Sequence, residues 1–582
     1  MPVNDSFRDG LAANKSIKEL HIQGDLREEG VQGLAPLFRN TNTLTELLFN
    51  AHFISTESLK SFALLLSQCQ IKSLKRISFE EFELNDSEYT EIARALSMQP
   101  QLEVLDLSDL YGDGEYNDSF LGHITLGDAM KHWKSPCLKK LEMDWCLIDD
   151  DGMVALVEGM ANYTNLERLN LAGNDTITEI GLRALSSLFQ SKKFLRSIDF
   201  SCMDISDDGM TALAPGLASL ESLRMLDLSS NIIGDEEGLE ALATAQPHFR
   251  HLKDLQLSDN AGFTVAGMMS LSSLLQKASS LMFLFLSNNS IDDEGLQVFI
   301  TGMRGRCTIG SLDLSSNDIR SGVRSFAAVK MNSLGRLDLD GNNVGNNDEA
   351  MEALVEAVES LRNLDYLKLS RVSPSGLTIL ATIFRSESCS LQELNLSGTR
   401  MEDSGAIALA NGLKGNQTLR SVTFDHRSLT YVGWSAFEWL LCDSFSVNNT
   451  YCSNHTLLCI EKYVHDVEED IPFPIEALLD LNKLKGQGVN VPICKILTCH
   501  SDLDMSLLLR WKLKLLPFIV TWLERARSSG LSLPRAAFEC RKLSAIYQFI
   551  GGLSHLVVEG YAHCEKRTIV ESSLRKRKST HH

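Results

Sequence analysis

Two groups of side chains in this 582-residue sequence are of types that hold metal ions. Acidic runs occur at Asp149-Asp150-Asp151-Gly152, Asp207-Asp208-Gly209, Asp292-Asp293-Glu294-Gly295 and Glu402-Asp403-Ser404-Gly405. Calcium loops alternate their carboxylates along an extended turn, whereas these are contiguous and lack that ligand spacing. The second group is Cys452, His455 and Cys459, with Cys494, Cys499 and His500 further on, donors that suit zinc. Their intervals of two and three residues, then four and none, match no familiar zinc pattern, so ordinary packing is the expectation. Catalytic signatures do not assemble either. There is no Gly-rich phosphate loop with its lysine, no Gly-x-Ser-x-Gly elbow and no paired-histidine helix motif. The sequence predicts no enzyme, no metal and no cofactor, and leaves recognition as the chemistry to look for.

The elements that would position recognition residues are legible from one recurring phrase. Leu-x-x-Leu-x-Leu, or a close variant, starts at fifteen places from Ile17 and Leu44 through Leu223 and Leu252 to Leu419, at intervals of about 29 residues. Within 223–250, Leu226 and Leu228 lie two apart, the signature of a short strand burying one face. Gly234-Asp235-Glu236-Glu237-Gly238 follows, and then Leu239, Ala241 and Leu242 at helical spacing. A strand and a helix this short cannot bury their apolar faces alone, so neighbouring units must stack. The fold class is therefore α/β, a solenoid with a parallel inner sheet and outer helices. Asparagine recurs at 174, 231, 260, 289, 317 and 342, where each strand ends. A buried amide there can satisfy backbone groups of adjacent turns. The acidic runs fall where helices begin, where carboxylates cap free amides and complement the helix dipole.

These pieces, above all Leu226-Asp227-Leu228-Ser229-Ser230-Asn231 with Gly234-Asp235 and Leu284-Phe285-Leu286-Ser287-Asn288-Asn289, resemble the ribonuclease-inhibitor class of leucine-rich repeats. The resemblance implies a horseshoe over residues 16–460, after a polar segment at 1–15. From 461 to 560 helical periodicity returns in 475–484, 506–527 and 541–553, and predicts an α-helical cap on the last open face. Trp434, Trp439, Trp511 and Trp522 suit such a seal. Asn454-His455-Thr456-Leu457, Lys514-Leu515-Leu516-Pro517 and the run Lys542–Ile550 resemble the C-terminal region of uncharacterised leucine-rich-repeat proteins from diatoms and related algae. That likeness implies no activity. Residues 561–582 form a basic tail.

Charge and cysteine usage narrow the partner. The net charge is −21. Residues 501–582 hold 14 basic against 7 acidic side chains, a balance of +7, so the remainder carries −28. A solenoid this acidic repels nucleic acid backbones and favours a basic protein or peptide. The basic tail is a second, intramolecular candidate for the same face. No apolar run is long enough to cross a membrane. The start Met1-Pro2-Val3-Asn4-Asp5 lacks the features of a secretory signal, and the 13 cysteines show no paired spacing. Cytoplasmic residence follows, with Arg575-Lys576-Arg577-Lys578 as a nuclear-import alternative. The inserted stretch around 111–118 predicts an exposed loop.

Along each strand, the residue between the second and third apolar positions points away from the core. In this row Asp106, Glu142, Asp199, Asp227, Asp313 and Asp338 are acidic, with Asp254 beside them. Phe283 and Phe285 lie two apart on one strand, and Tyr366 lies on the same face three strands later. Aromatic anchors ringed by carboxylates have the composition of a binding hot spot, each worth about 2 kcal/mol or more. The expected partner-binding residues are therefore Phe283, Phe285, Asp313, Asp338, Tyr366, Asp227 and Asp254, on a scaffold engaging a protein or peptide. Two alternatives come with the repeat class. One is an inhibitor like the ribonuclease inhibitors. The other is a GTPase-directed regulator resembling the activating proteins of the nuclear-transport GTPase Ran, although those carry an acidic tail and this chain ends basic.

Overall fold

The computed structural model describes residues 16–23, 27–50, 56–69, 71–80, 82–112, 122–133, 137–234, 236–244, 246–260, 262–276, 278–303, 308–329, 331–462, 471–485, 490–500 and 542–543. Each repeat opens with a short strand that pairs in parallel with its neighbours. Met225–Asp227 lies between Ser197–Asp199 and Asp254–Gln256, so Leu226 stands opposite Ile198 and Leu255. Leu226, Leu255, Leu284 and Leu312 are all buried, and the residues on either side of each face outward, as the two-residue period requires.

The chain forms two compact units, Met1–Val344 with Glu356–Leu364, and Gly345–Val355 with Asp365–His582. In the first, the strands follow chain order from Glu19–Gln23 to Arg336–Asp338. Phe82–Leu84 and Leu110–Gly112 pair separately as a two-stranded parallel sheet. In the second, Tyr366–Lys368, Glu393–Arg400, Ser421–Asp425 and Cys459–Lys462 follow one another. The last of these was not expected. Leu457 and Ile460 keep the apolar phrase but Lys462 replaces its third leucine, and the strand crosses the domain boundary expected at residue 460.

Helices pack in sequence on one face. Gly122–Lys131 meets Asp150–Met160 so closely that a Cβ on Gly159 would fall 2.4 Å from the Gly127 carbonyl oxygen. Hydrogen bonds that run from repeat to repeat satisfy the turns. The Asn317 Oδ1 accepts from the Asn289 and Ile291 amides at 3.0 and 2.9 Å, while its Nδ2 donates to the Leu286 and Leu314 carbonyls. Asn174 and Asn231, two repeats apart with Met203 at the position between them, make the same four bonds. Where the helix turns back toward the strand, a second set of buried donors serves the preceding repeat. The Gln99 amide reaches the Leu66 carbonyl, the Tyr163 hydroxyl reaches Met130, and the Lys192 ammonium reaches Met160 and Tyr163.

The acidic runs do more than cap. Asp149 and Asp292 accept from the Gly152 and Gly295 amides of their own helices, as expected, but Ser206 takes that place before Asp207, and Glu402 makes no side-chain cap bond. The following aspartate bridges to the next repeat. Asp150 accepts from the Thr178 and Gly181 amides, Asp293 from Arg320 and Gly322, and Asp403 from Thr430 and Gly433.

Beyond the repeats, the helix Phe473–Lys483 stands where 475–484 was expected, and Val491–Cys499 is a further helix that the sequence reading did not resolve. Trp434 packs against His426 and Phe437, and Trp439 is 56% exposed. The expected loop beyond Gly112, the helices over 506–527 and 541–553 (Lys542 and Leu543 apart), Trp511, Trp522 and the basic tail lie outside the described residues.

Two buried substitutions and one surface control check this register. Leu284→Ala leaves a cavity under the strand face and is expected to cost about 2–5 kcal/mol. Asn317→Ala strips acceptors and donors from buried turn groups, at about 1–3 kcal/mol for each group left unmade. Lys253→Ala, on the surface, is expected to stay within about 0.5 kcal/mol. Equal denaturation midpoints for all three would contradict the strand assignment.

Candidate binding face

The outward strand positions of the first unit form two rows. In one, Asp199, Asp227, Gln256, Phe285, Asp313 and Asp338 stand in register on successive strands. In the other, Ser197, Met225, Asp254, Phe283, Ser311 and Arg336 do the same. The structure thus brings Phe283, Phe285, Asp227, Asp254, Asp313 and Asp338 onto one sheet face. Tyr366 belongs to the second unit, where its hydroxyl accepts from the Asn395 amide at 3.3 Å.

The acidic row has a local structural job. Asp199, Asp227, Asp313 and Asp338 each accept, through Oδ1, the amide proton of the residue two further on. That Asx-type bond turns the chain out of the strand and explains why the row holds Asp or Asn so often. It also withdraws the carboxylates from solvent: Asp227 is only 9% exposed, less open than its outward register suggests. Burial, reinforced by the charge of Asp199, raises the Asp227 carboxyl above its ordinary range. Burial and the charge of Asp227 do the same to Asp254, whose Oδ1 is buried with no hydrogen-bond partner among the described residues.

The face is not uniformly acidic, and here the sequence reading needs correction. The residue just before each strand forms a third line, joined by backbone bonds from Arg224 to Arg196, Lys253 to Arg224 and Met282 to Lys253. It is basic at Lys75, Lys139, Arg196, Arg224 and Lys253. The line before the strands is therefore cationic from Arg196 to Lys253, with Glu103 and Glu167 interrupting it in the earlier repeats, while the row at the strand ends is largely acidic. Toward the N-terminal repeats these charges neutralise one another: Arg76 pairs with Asp106 at 3.3 Å, Arg168 with Glu142 at 2.9 Å, and Lys75 and Lys139 with Glu103. From Ser197 to Asp313 the pairing stops. Among the described residues Arg224, Lys253, Asp199, Asp227, Asp254 and Asp313 make no ion pair. Met282 and Phe283 in this stretch are exposed, at 45% and 41%, with Phe285 half-buried beside them.

Sequence reasoning also missed Trp145. One residue per repeat, two after the third apolar position, takes a left-handed backbone: Trp145, Cys202, Ser230, Asp259, Asn288 and Ser316 have φ between 53 and 57°. Small or polar residues fill this place at modest cost, whereas a tryptophan there is an outlier. Its indole is 52% exposed and lies over Gly173, where a Cβ would sit 2.3 Å from the ring. Aligning the repeats on this turn exposes the anomaly; reading one row of the face does not.

The zinc-type residues take separate partners. His455 Nε2 is 3.0 Å from the Tyr451 carbonyl oxygen, His500 Nε2 is 2.8 Å from the Thr450 hydroxyl, and Cys499 lies beside Cys442.

A leucine-rich-repeat family model matches residues 134–157, 164–186, 191–214, 219–243, 248–272 and 387–410. The pig (Sus scrofa) ribonuclease inhibitor is 26% identical over 400 residues, covering 67% of this chain and 84% of the inhibitor. The chain carries leucine-rich repeats similar to those of the ribonuclease inhibitors. Protein CARMIL of Dictyostelium discoideum is 26% identical over 315 residues, 52% of this chain, and the human NACHT, LRR and PYD domains-containing protein 5 is 29% identical over 264 residues. The matches span only 27% and 21% of those two relatives. Among the described residues no helix of this leucine-rich-repeat protein is long and apolar enough to cross a membrane.

Asp254→Asn tests the electrostatics of the face. A carboxyl whose folded pKa lies above its unfolded value destabilises the fold once ionised. Removing that charge is expected to raise the denaturation midpoint at neutral pH. The gain should shrink as pH falls through the raised native value and vanish well below 3.8, where Asp254 is protonated in both folded and unfolded chains. A gain independent of pH would point to packing instead.

Proposed function

We propose that this protein is a non-catalytic scaffold that binds a protein or peptide partner across the strands from Ser197–Asp199 to Arg336–Asp338. The observation that carries the reading is the break in ion pairing from Ser197 to Asp313: among the described residues Arg224 and Lys253 before the strands, and Asp199, Asp227 and Asp313 at their ends, form no ion pair, around exposed Met282 and Phe283. A partner matched to this face presents an apolar centre to Phe283 and Phe285. It places basic groups toward Asp199, Asp227 and Asp313, and acidic groups toward Arg224 and Lys253. Opposed edges fix the orientation of such a partner as well as attracting it. The anchors supply most of the affinity, and the charges mainly rate and specificity.

An inhibitory role like that of the ribonuclease inhibitors is the second reading, favoured by the match over 84% of the pig protein. Cytoplasmic residence, with import through Arg575–Lys578, accompanies both readings as a proposal.

The test is affinity capture from native lysate, comparing wild type with the Phe283→Ala, Phe285→Ala double variant. Partners on this face should be lost, at about 2 kcal/mol or more for each anchor. Asp313→Lys should slow association and flatten its salt dependence, because rim charges act on the encounter rate. Retention of all partners by the double variant would move the site elsewhere. Inhibition of a pancreatic-type ribonuclease at stoichiometric protein would favour the second reading.

A further inference from the structure

The second unit contains a thiol pair that the repeat pattern does not explain. Cys442 directly follows the last repeat helix, Tyr431–Leu441, and its amide donates to the Glu438 carbonyl at 2.8 Å. Cys499 is the final residue of the helix Val491–Cys499, 57 residues later. Their sulfurs are 3.0 Å apart. Cys442 is buried and Cys499 is exposed.

Contacts that involve neither sulfur hold the pair together. Lys495, one helical turn before Cys499, is wholly buried and donates from Nζ to the Leu441 and Asn454 carbonyls at 2.6 and 3.0 Å. The Leu441 carbonyl belongs to the residue next to Cys442, so this bond sets the distance between the two cysteines. On the far side the His500 ring nitrogen meets the Thr450 hydroxyl at 2.8 Å. The hydrogen bond with Cys499 and burial push the Cys442 thiol well up, and the nearby Lys495, itself lowered by burial to about 7, opposes this only in part. Cys146 shows the contrasting, structural use of a buried thiol, with its sulfur 3.0 Å from the Leu107 carbonyl oxygen.

We propose that Cys442 and Cys499 are a reversible disulfide site, which fastens the helix Val491–Cys499 to the last repeat helix when a low-molecular-weight disulfide is available as oxidant. Accessibility sets the order of events. The Cys499 thiolate attacks one sulfur of the oxidant, forming a mixed disulfide and releasing one thiol. The Cys442 sulfur then attacks Cys499, the intramolecular S–S bond forms, and the second thiol departs. The two protein thiols lose two protons and two electrons, and both appear on the two released thiols. The same helix supplies Val491 and Pro492 to the wall of a cleft of about 820 Å³, which is also lined by Tyr451, His455 and Lys485. The cross-link would therefore pin one side of that cleft.

The experiment uses the full chain incubated with oxidised glutathione, alkylated, digested and mapped by mass spectrometry. The expected product is a peptide pair joined through Cys442 and Cys499, with the intact protein lighter by two hydrogens and restored by dithiothreitol. In Cys442→Ser, Cys499 should stop at a glutathione adduct; in Cys499→Ser, Cys442 should remain reduced. Circular dichroism of both variants checks that they fold. A wild-type Cys499 that stops at the adduct, or pairs with Cys452 instead, would overturn the proposal.

Discussion

The structure depends on the buried asparagine bonds between repeats. A repeat solenoid has an exposed weakness at every strand end, because the chain must leave the sheet and its backbone amides and carbonyls would otherwise be buried without partners. One Asn side chain offers two donors and an acceptor with two lone pairs, and Asn317 uses all of them across two turns. Neither leucine packing nor strand pairing supplies this. The leucines make stacking favourable, but they would tolerate small slips along the sheet, whereas a shared amide tolerates none. The bridging aspartates at 150, 293 and 403 do the same work at the helix starts, and Gln99, Tyr163 and Lys192 at the helix ends. Directional bonds of these three kinds thus tie many repeats to their neighbours, and the apolar core fills the space between them.

This framework explains which parts of the molecule were legible in the sequence. Period-two leucines and a recurring Asn are local signals repeated many times, so strand positions such as Leu226 and Leu284 could be placed without a structure. The acidic runs do stand at helix starts, but only Asp149 and Asp292 cap their helices as expected. Their reach into the next repeat was not visible, because it depends on contacts about one repeat apart in the chain. Strand Cys459–Lys462 escaped because a lysine ends its apolar phrase. The buried lysines 192 and 495 escaped for a related reason: composition assigns lysine to the surface, and only a cluster of inward carbonyls reverses that.

The outward face of the strands was legible in outline, and its basic line was not. Reading one row, between the second and third leucines, finds Phe285 and the carboxylates. It overlooks the line just before the strands, where Arg224 and Lys253 lie. It also treats every carboxylate in the row as available for recognition, although the Asx-type bond at Asp199, Asp227, Asp313 and Asp338 already engages one oxygen of each. Structural and recognition roles are shared within single side chains, which makes composition a poor guide to what is free. The unpaired charges on both edges are a stricter criterion, and they single out the middle repeats of the first unit.

The repeats differ in length, yet the sheet side does not register the difference. The unit from Leu102 to Leu138 is longer than its neighbours, and still the Leu107 and Asp109 amides donate to the Glu142 and Asp144 carbonyls at 2.9 and 2.8 Å. The unit from Ile309 to Leu334 is shorter, and the Leu314 amide still finds the Asp338 carbonyl at 2.9 Å. The rungs keep their bonds whatever the length of the connection between them. A fold built this way can therefore change the length of a repeat without shifting its strand by one position. Its recognition face changes by replacing one side chain at a time, and relatives with very different repeat lengths remain comparable there position for position.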